Sequence, residues 1–522
     1  MRLKRLGRVR LAALCAAGVL AMSPAFAAAS TATPVPDGGS TVVPSFIGHA
    51  ARAKRLPPHK PPQNPFMAPN PFNNVHNDSW ISDTYAIAGP RGHRPAVRSS
   101  TSPTQGGSSP LSLCASINFD RHGRLEMVCG GPGRNGGPVR IRLLLLDPES
   151  LAILASFDLP SPSSSSLLAG LGSAYFYLDD RDRAVVSTAD NHLLLIAQTG
   201  RKHHPGFRLV KDYDLSSQVG TDHLAAVLPD WSGRLWFATD HSGIIGVLDR
   251  STGSIRTLKL NEENGNGLAM TRTGVYIVTV KAQYRIFARK GGAPRIEWSA
   301  PYQNIGTTKP GQVTPGSGTT PTILGGGKYV AIADNADQMH VVVYRTAVHL
   351  PRGKRRTVCE VPVFPQGTGG TDNSLMGSGR SLLVVNGFGY ALDENTLKVT
   401  PSVPGAARVD IARDGSGCRL VWNNRNIVVP SVLSKMSTRT GLVYTYTLKK
   451  DPASGVDVWY WSALDFRKGR VVWEKRAGTG SLFNNHYAPL SVGPNHNMYL
   501  GVLGGIAAIK DTRGHCRTSR CP

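Results

Sequence analysis

A set of carboxylate, amide and imidazole side chains lies just before the short apolar runs of this 522-residue chain. Its members are Asp222, His223, Glu263, Asn266, Asp372, Asn373, Asn485 and His486, with His76 and Asp78 near the N-terminus. Oxygen donors of this kind suit a hard cation such as calcium, and together with imidazoles they also suit a polar small molecule. The set therefore predicts a binding site for one of the two, and Asn266 and Asp222 are the candidate metal ligands.

Asp222 and His223 form the pair with the most obvious chemistry, because a carboxylate beside an imidazole raises the pKa of the imidazole. Adjacent residues in a strand point to opposite faces, however, which weakens the pair. A simpler explanation for the whole set is that Asp, Asn and Thr lie in turns, where their side chains cap the backbone. The sequence leaves both interpretations open.

Complete catalytic motifs are absent from the sequence. No Cys-x-x-Cys, Cys-x-x-Cys-His, Gly-x-Ser-x-Gly, His-Glu-x-x-His or phosphate-loop pattern occurs. Gly131–Gly136 fits Gly-x-Gly-x-x-Gly, but no helical pattern follows it, so we interpret it as a hairpin loop. Catalytic residues therefore cannot be named, and redox chemistry by cysteine or haem is not expected.

The elements that would position the polar set are short β-strands separated by turns that contain Gly or Asp, and no convincing amphipathic helix interrupts them. One unit recurs after residue 110: an apolar strand, a polar turn and a second apolar strand. Its eight starts are Ala115–Asp120, Tyr175–Asp180, Ala225–Asp230, Gly267–Thr273, Pro321–Gly325, Leu375–Gly379, Val409–Gly417 and Pro489–Pro494. Repetition of such a unit predicts an all-β protein, a β-propeller with eight blades, seven blades being the alternative.

The closing unit of the ring, Asn484–Lys510, looks one strand short. We expect Trp80–Ile87 to supply that strand, so that strands from the N- and C-terminal parts of the chain close the ring and leave no open edge. Ligands of propellers usually occupy the mouth of the central channel, and the polar set above would line that mouth.

A hairpin also recurs, most clearly at Ala463–Trp473, where an Asp-led turn closed by Gly469 joins two apolar runs. A weaker copy lies at Val247–Ile255, and remnants surround Asp147 and Asp393. The Ala463–Trp473 stretch resembles the tryptophan-docking repeat of quinoprotein alcohol dehydrogenases, although Lys468 replaces the Thr of that repeat. The positions that match are Ala463, Asp465, Gly469 and Trp473.

Two further stretches, 230–238 and 266–269, are similar to sequence patterns of gluconolactonase-like propellers. Both resemblances imply a propeller over residues from about 70 to 510. The second also implies that Asn266 binds a metal, and a bound cation would polarise a carbonyl or activate water. The vicinal cysteine pair of the quinoprotein enzymes is missing, which argues against pyrroloquinoline quinone as a cofactor.

Residues 1–27 have the pattern of a secretory signal peptide, with a basic start, an apolar stretch and Ala25-Phe26-Ala27 before the cleavage point. No later segment is long and apolar enough to span a bilayer, so we expect a soluble protein, secreted or periplasmic, with no transmembrane segment after signal removal. Residues 28–70, rich in Pro, Ser and Thr, predict a disordered linker. Residues 71–510 would form the propeller, with an irregular insertion at Arg91–Pro110, and residues 511–522 a basic tail that contains cysteines.

Disulfides are expected, because removal of the signal peptide takes Cys15 and leaves an even number of cysteines in an exported protein. Their positions favour pairing within one repeat, between neighbouring repeats and within the tail, although the sequence leaves the pairing open. The candidates are Cys114 with Cys129, Cys359 with Cys418, and Cys516 with Cys521.

The chain carries 59 Lys and Arg against 34 Asp and Glu, a formal net charge of +25. This excess favours an anionic partner such as a cell-envelope polymer, or it is a solvated surface rich in arginine. Nucleic acid is not expected, because the chain is exported and shows no basic recognition helix.

These observations favour a monomeric, exported propeller that acts as a binding or scaffold protein and holds a polar small molecule or an envelope component at the channel mouth. The alternative is an enzyme on the same ring, either a calcium-dependent hydrolase similar to lactonases or a quinoprotein-like oxidoreductase. Fold alone does not separate the two, because propellers serve both purposes.

Overall fold

Short strands dominate the structure, a computed structural model that describes residues 32–101, 111–131, 138–161, 175–201 and 204–512. The sheets form an eight-bladed β-propeller, as the sequence predicts. The predicted signal peptide and the cysteines of the tail, Cys516 and Cys521, lie outside the described residues.

Three strands precede the first blade in the described part of the chain, and short helical turns interrupt some of the strands that follow. The early strands are β1 (Phe46–Gly48), β2 (Thr84–Tyr85) and β3 (Pro95–Ser100). Blade one consists of β4 (Leu113–Phe119), β5 (Leu125–Gly131), β6 (Arg140–Leu146) and β7 (Ile153–Leu159). Blade two consists of β8 (Tyr177–Leu178), β9 (Ala184–Ser187), β10 (His192–Arg201) and β11 (His204–Asp214), followed by helix α1 (Ser216–Val219).

The middle of the ring is made of three regular four-stranded sheets. Blade three consists of β12 (Leu224–Pro229), β13 (Leu235–Thr239), β14 (Ile244–Leu248) and β15 (Ile255–Lys259). Blade four consists of β16 (Ala269–Thr271), β17 (Gly274–Val278), β18 (Ala282–Phe287) and β19 (Arg295–Pro301). Blade five consists of β20 (Thr322–Leu324), β21 (Tyr329–Ala333), β22 (His340–Arg345) and β23 (Thr357–Pro362).

The last three blades carry the additions to the repeat. Blade six holds β24 (Met376–Ser378), β25 (Ser381–Val385), an inserted hairpin of β26 (Ala391–Leu392) and β27 (Val399–Thr400), then β28 (Ala406–Ile411) and β29 (Cys418–Asn424). Blade seven holds β30 (Lys435–Ser437), β31 (Leu442–Lys450), β32 (Asp457–Asp465) and β33 (Val471–Thr479), followed by a 3-10 turn at Ser481–Phe483. Blade eight holds β34 (Leu490–Val492), β35 (Met498–Val502) and β36 (Gly505–Asp511).

The turn between the first two strands of blades one to three is fixed by one local device. An Asp accepts hydrogen bonds from backbone N–H groups two and four residues later, and an Arg four residues later pairs with the same carboxylate. For Asp230 the backbone bonds are 2.8 Å from Ser232 and 3.1 Å from Arg234, and the Arg234 Nε bond is 2.7 Å. The other two pairs are Asp120 with Arg124 and Asp179 with Arg183. Because such a turn needs only local residues, the repeat can be recognised in the sequence.

The predicted hairpin at Ala463–Trp473 is confirmed as the turn between β32 and β33. Asp465 Oδ1 accepts hydrogen bonds from Arg467 N at 2.8 Å and Lys468 N at 3.2 Å, and Gly469 has a φ of 69°. Trp473 is fully buried in the core of blade seven. The hairpin therefore has the geometry that the Asp and the Gly predict.

Strands from both ends of the chain close the ring, but the N-terminal strand is not the predicted one. β3 pairs antiparallel with β36 and completes blade eight. Trp80–Ile87 lies elsewhere, since its strand β2 pairs parallel with β30 of blade seven. β3 falls in Arg91–Pro110, which the sequence suggested was irregular. Pro95 is the first residue of this edge strand, a position where the missing N–H of proline is tolerated.

One predicted start of a blade was also wrong. Val409–Gly417 spans the end of β28 and the turn before β29, which are the outer strands of blade six. The inner strand of blade seven is β30 instead, and its first residue, Lys435, is completely buried. A three-residue strand that begins with a charged residue contains no apolar run, so the pattern of apolar runs did not predict it.

The described part of the proposed linker, residues 32–70, lies on the propeller. β1 pairs antiparallel with β33 and covers the outer edge of blade seven. Lys54 and Leu56 donate backbone hydrogen bonds to Thr440 and Thr438 of the same blade, at 2.8 and 2.9 Å. A proline-rich segment can be ordered in this way because an exposed sheet edge supplies backbone hydrogen-bond partners. The segment has few such partners of its own.

Two disulfides join residues that the sequence placed near each other. Cys114–Cys129 links neighbouring strands of blade one, and Cys359–Cys418 links the outermost strands of blades five and six. The Cys359–Cys418 bond therefore links blades five and six covalently. The described residues contain no helix that is long and apolar enough to cross a bilayer.

Candidate functional site

Residues 64–87, here called the axial segment, fill the centre of the ring. The inner strands would otherwise present unpaired backbone groups to the channel, and this segment pairs with them. Its carbonyl groups accept hydrogen bonds from blades four to seven, in the pairs Met270 N to Ser79 O (2.6 Å), Ile323 N to Trp80 O (2.9 Å), Gly377 N to Ser82 O (2.8 Å) and Met436 N to Asp83 O (3.0 Å). Towards blades one to three the pairs are Phe119 N to Phe72 O (3.0 Å), Ala68 N to Leu178 O (2.8 Å) and Asn64 Nδ2 to Pro229 O (2.7 Å). The expected channel is therefore occupied by the protein's own chain.

A buried ion pair anchors the axial segment to blade seven. The Lys435 ammonium group donates hydrogen bonds to the Asp83 carboxylate and to the carbonyl of Val75, and His76 Nδ1 lies 3.0 Å from Asp83 Oδ2. Asp83 and Lys435 have no solvent exposure. Burial alone would raise the pKa of Asp83, but Lys435 and His76 outweigh burial and hold the pKa below its ordinary value.

Several buried polar atoms around His76 and the loop into blade six have no hydrogen-bond partner within the described residues. They are His76 Nε2, both amide atoms of Asn77, Asp372 Oδ1 and Asn373 Nδ2. A buried polar atom without a partner costs about 1–3 kcal/mol, so native structures rarely leave one unmet by protein, water or ligand. These residues are therefore candidates for contact with a polar molecule or with water.

Tyr175, from the loop into blade two, connects the two sides of this region. Its ring stacks on His76 with 6.0 Å between the ring centroids. Burial, followed by the carboxylates of Asp372 and Asp83, raises the pKa of Tyr175 to about 12, so both carboxylates lie within electrostatic reach of the phenol. We call His76, Asn77, Tyr175, Asp372 and Asn373 the mouth cluster.

Asp372 is the group of the mouth cluster whose protonation is most changed by the fold. Its Oδ2 accepts a hydrogen bond from Val313 N at 2.7 Å, and its Oδ1 has no partner among the described residues. Burial raises the pKa of Asp372 to about 8, so the carboxyl group holds its proton at neutral pH and can donate a hydrogen bond. Asp372 and Tyr175 are only half-buried, and the cluster therefore reaches the surface.

The other predicted residues near the axis are used by the protein itself. Asp78 accepts hydrogen bonds from the Ser82 hydroxyl and from Trp80 N, and burial raises its pKa to about 7. Asn485 Nδ2 donates to Ala488 O at 3.1 Å. His486 Nδ1 lies 2.9 Å from the Tyr390 hydroxyl, and burial lowers the pKa of His486 to about 4, so this imidazole is neutral at pH 7.

The two candidate calcium ligands, Asn266 and Asp222, share no direct hydrogen bond in the described part of the chain. Asn266 is buried, and its Nδ2 donates to Ser317 O at 2.7 Å. Asp222 lies on the loop into blade three and bonds to residues of that blade. Asn266 N donates to Asn264 Oδ1 at 3.1 Å, and Asn264 Nδ2 donates to Thr239 O, so the two candidates are connected indirectly, through Asn264 and Thr239.

Asp222 and His223 instead share a second cluster with Asp240 and His241, here called the blade-three cluster. One ligand atom from each of the four residues lies within 4.8 Å of those of the other three. The sequence argument that Asp222 and His223 point apart does not apply, because both precede β12 and lie in a loop. Glu263 lies near enough for its charge to act on His241.

The geometry of the blade-three cluster is set by Asp222. Its buried carboxylate accepts hydrogen bonds from the Thr239 hydroxyl at 2.7 Å, His241 N at 2.8 Å and Ser242 N at 2.7 Å. Burial opposes ionisation of Asp222, but hydrogen bonds from Asp240, Thr239 and the backbone outweigh it and keep the pKa below its usual range. Burial and the contact with Asp222 raise the pKa of Asp240.

Sequence reasoning missed Asp83, Lys435, Tyr175, Asp240 and His241. Nothing in the sequence links Asp83 to Lys435, because 352 residues separate them. A signal for the blade-three cluster was present, since Thr-Asp-His occurs at both 221–223 and 239–241. This repeated tripeptide could have identified the blade-three cluster from the sequence.

Comparison with known sequences gives one distant relative and no family. No protein-family profile matches the chain. An uncharacterized protein of Archaeoglobus fulgidus is 25% identical over 497 residues, covering 87% of this chain and 91% of that protein. That alignment spans nearly the whole length of both chains, but the relative carries no described activity.

Comparison with solved structures shows propellers. Sqt1 from Chaetomium thermophilum is similar with a TM-score of 0.51 and 11% sequence identity, covering 78% of this chain and 97% of Sqt1. Virginiamycin B lyase from Staphylococcus aureus is similar with a TM-score of 0.37 and 9% identity, covering 71% and 95% of the two chains. At such identities the likeness shows the fold alone. The fold implied by the quinoprotein and gluconolactonase resemblances is thus confirmed, and the closer kinship they imply stays a prediction.

Proposed function

We propose that this protein is an extracytoplasmic binding module that holds a small, uncharged polar molecule such as a sugar at the mouth cluster. The observation that carries the proposal is the group of buried polar atoms there that have no partner in the described part of the chain. A hydroxyl-rich ligand both donates and accepts hydrogen bonds, so it suits the amide, imidazole and carboxyl groups of this cluster.

The chemistry of the mouth cluster favours an uncharged ligand over an ion. Asn77 offers a donor and an acceptor, Asn373 a donor, and Asp372 is protonated at neutral pH. The charges of Asp83 and Lys435 already neutralise each other. Tyr175, which stacks on the buried ring of His76 and is itself half-buried, supplies an aromatic ring of the kind on which the C–H face of a sugar packs.

Two observations support an extracytoplasmic location. The structure contains two disulfides, which persist in oxidising compartments and are rare in the cytosol. The N-terminal pattern of residues 1–27 agrees with export. Sugars of the cell envelope are polar ligands available in that location.

The proposal is tested by titrating the purified protein with a panel of monosaccharides and disaccharides, using calorimetry and thermal shift. A ligand of this site at 100 times its Kd should stabilise the protein by about 2.7 kcal/mol. Asn77→Gly and Asn373→Ala should each weaken binding at least tenfold. Glycine keeps the backbone at Asn77, whose φ is 74°. Asn395→Ala, on an exposed turn of blade six, serves as the matched control and should bind normally.

Two results would refute this function. One is a panel in which no sugar binds, together with ordered water at every unpartnered atom in a high-resolution structure. The other is a bound sugar whose affinity is the same in Asn77→Gly, Asn373→Ala and the wild type. Calcium-dependent turnover of a sugar lactone would replace the binding module by the hydrolase alternative.

A further inference from the structure

The blade-three cluster is built from two copies of one tripeptide that face each other. Residues 221–223 and 239–241 both read Thr-Asp-His. Asp240 N donates to His223 O at 3.1 Å, and His223 N lies 3.2 Å from Asp240 Oδ1, so the copies are held together by their backbones. The two imidazole rings end 5.8 Å apart between centroids.

The cluster lacks the positive charges that normally accompany carboxylates in this protein. The chain has 59 Lys and Arg against 34 Asp and Glu, yet within the described residues Asp222 and Asp240 form ion pairs only with His223 and His241. Two adjacent carboxylates repel each other when both are ionised. A cation bound to Asp240 would relieve that repulsion and leave the hydrogen bonds of Asp222 in place.

We propose that the blade-three cluster binds a divalent transition metal, represented here by zinc, through His223, His241 and Asp240. His241 Nδ1 lies 2.6 Å from Asp240 Oδ1, and His223 Nδ1 lies 3.7 Å from Asp240 Oδ2. Tetrahedral zinc with bonds of about 2.0–2.1 Å needs its ligand atoms roughly 3.3 Å apart. The side chains of His223 and His241 are 60% and 72% exposed, so small rotations bring all three groups to that spacing.

Asp222 has a different part in the proposed site. It is buried and bonded to backbone N–H groups of both tripeptides, which makes it a positioning residue that fixes the two histidines relative to each other. Three protein ligands leave the fourth position of the metal open to water or to an external donor. This site is separate from the mouth cluster and does not depend on the function proposed for that cluster.

The ligand set distinguishes the proposed metal from calcium. Calcium takes six to eight oxygen ligands, whereas imidazole nitrogen suits zinc, copper and nickel. Two imidazoles against one exposed carboxylate therefore select a transition metal. A calcium site would have used the carboxylates and left the histidines unnecessary.

The test is equilibrium dialysis of EDTA-treated, non-reduced protein against zinc chloride, with metal content measured by mass spectrometry and affinity by calorimetry. The wild type should bind one zinc ion that the double variant His223→Ala/His241→Ala binds roughly 100-fold more weakly or not at all. His192→Ala is the matched control, because His192 also lies beside two carboxylates, Asp212 and Asp214, but has no second imidazole. This variant should bind zinc as the wild type does.

The proposal is overturned if the wild type and the double variant bind zinc equally, if His192→Ala abolishes binding, or if an equal concentration of calcium displaces the zinc. Should the double variant fail to fold, zinc protection of the wild-type histidines from diethyl pyrocarbonate decides the question. Modification of His223 and His241 that zinc does not slow would count against the site.

Discussion

Replacement of Lys435 by methionine should destabilise the protein strongly, because it leaves Asp83 as a buried charge without its main partner. Both residues have no solvent exposure, and Lys435 also donates to the carbonyl of Val75. Breaking a buried ion pair by removing one partner costs about 3–5 kcal/mol. At about 2.1 cal/mol/K per residue, a propeller of this size has an unfolding entropy of about 0.9 kcal/mol/K, so Tm should fall by roughly 3–6 °C.

Scanning calorimetry of four proteins measures this effect: the wild type, Lys435→Met, Asp83→Asn and the double variant. Because the double variant leaves no buried charge unpaired, it should be more stable than either single variant. Lys510→Met is the control, since Lys510 pairs with the exposed carboxylate of Glu149 and should change the free energy of unfolding by less than about 1 kcal/mol. A loss as small as that in Lys435→Met, or additive losses in the double variant, would refute the anchor.

Two further predictions concern the blades. Glu126 is buried, accepts a hydrogen bond from Gln198, and its pKa is raised by burial from 4.5 to about 8. An acid whose folded pKa is raised stabilises the fold most below its unfolded pKa and loses that contribution as pH rises to the folded value. Glu126 should therefore account for a loss of about 3 kcal/mol between pH 4.5 and 7. In denaturant titrations the loss of stability over this pH range should be about 3 kcal/mol smaller in Glu126→Gln than in the wild type, because the raised carboxyl groups of Asp78 and Asp372 are common to both. The exposed control Glu149→Gln should lose as much as the wild type, and equal losses in all three proteins would contradict the prediction. Replacing Cys359 and Cys418 by serine opens a loop with a sequence separation of 59 and should cost about 4 kcal/mol in the same assay, and a cost near zero would show that the bond does not hold blades five and six together.

The blades could be predicted because their turns are local. In a turn such as Asp230 to Arg234, the hydrogen-bond acceptor, the donor and the change of chain direction all lie within five residues. Each copy of the unit can therefore be recognised from the local sequence. Lys435 shows the limit of this method. Its strand is three residues long, polar at both ends and stabilised by Asp83, a residue that is close only after the ring has closed.

The N-terminal region could not be predicted from composition for a related reason. Residues 64–87 contain few apolar runs, and in addition to some local hydrogen bonds their backbone groups find partners on six different blades. Pro95–Ser100 forms a strand because β36 presents an edge to it. In both cases the conformation depends on a partner that is distant in the sequence. A pattern of neighbouring residues carries no information about such a partner.

The axial segment also explains why the two proposed sites differ in kind. The segment closes the centre of the ring, so a ligand of the mouth cluster is held partly by His76 and Asn77, residues of the same segment that Asp83 and Lys435 anchor. Release of such a ligand is therefore tied to the stability of that anchor. The blade-three cluster is built on loops that Asp222 holds together, and its histidines are exposed. An ion there exchanges with solvent without any movement of the axial segment, so the two sites can be filled and emptied independently.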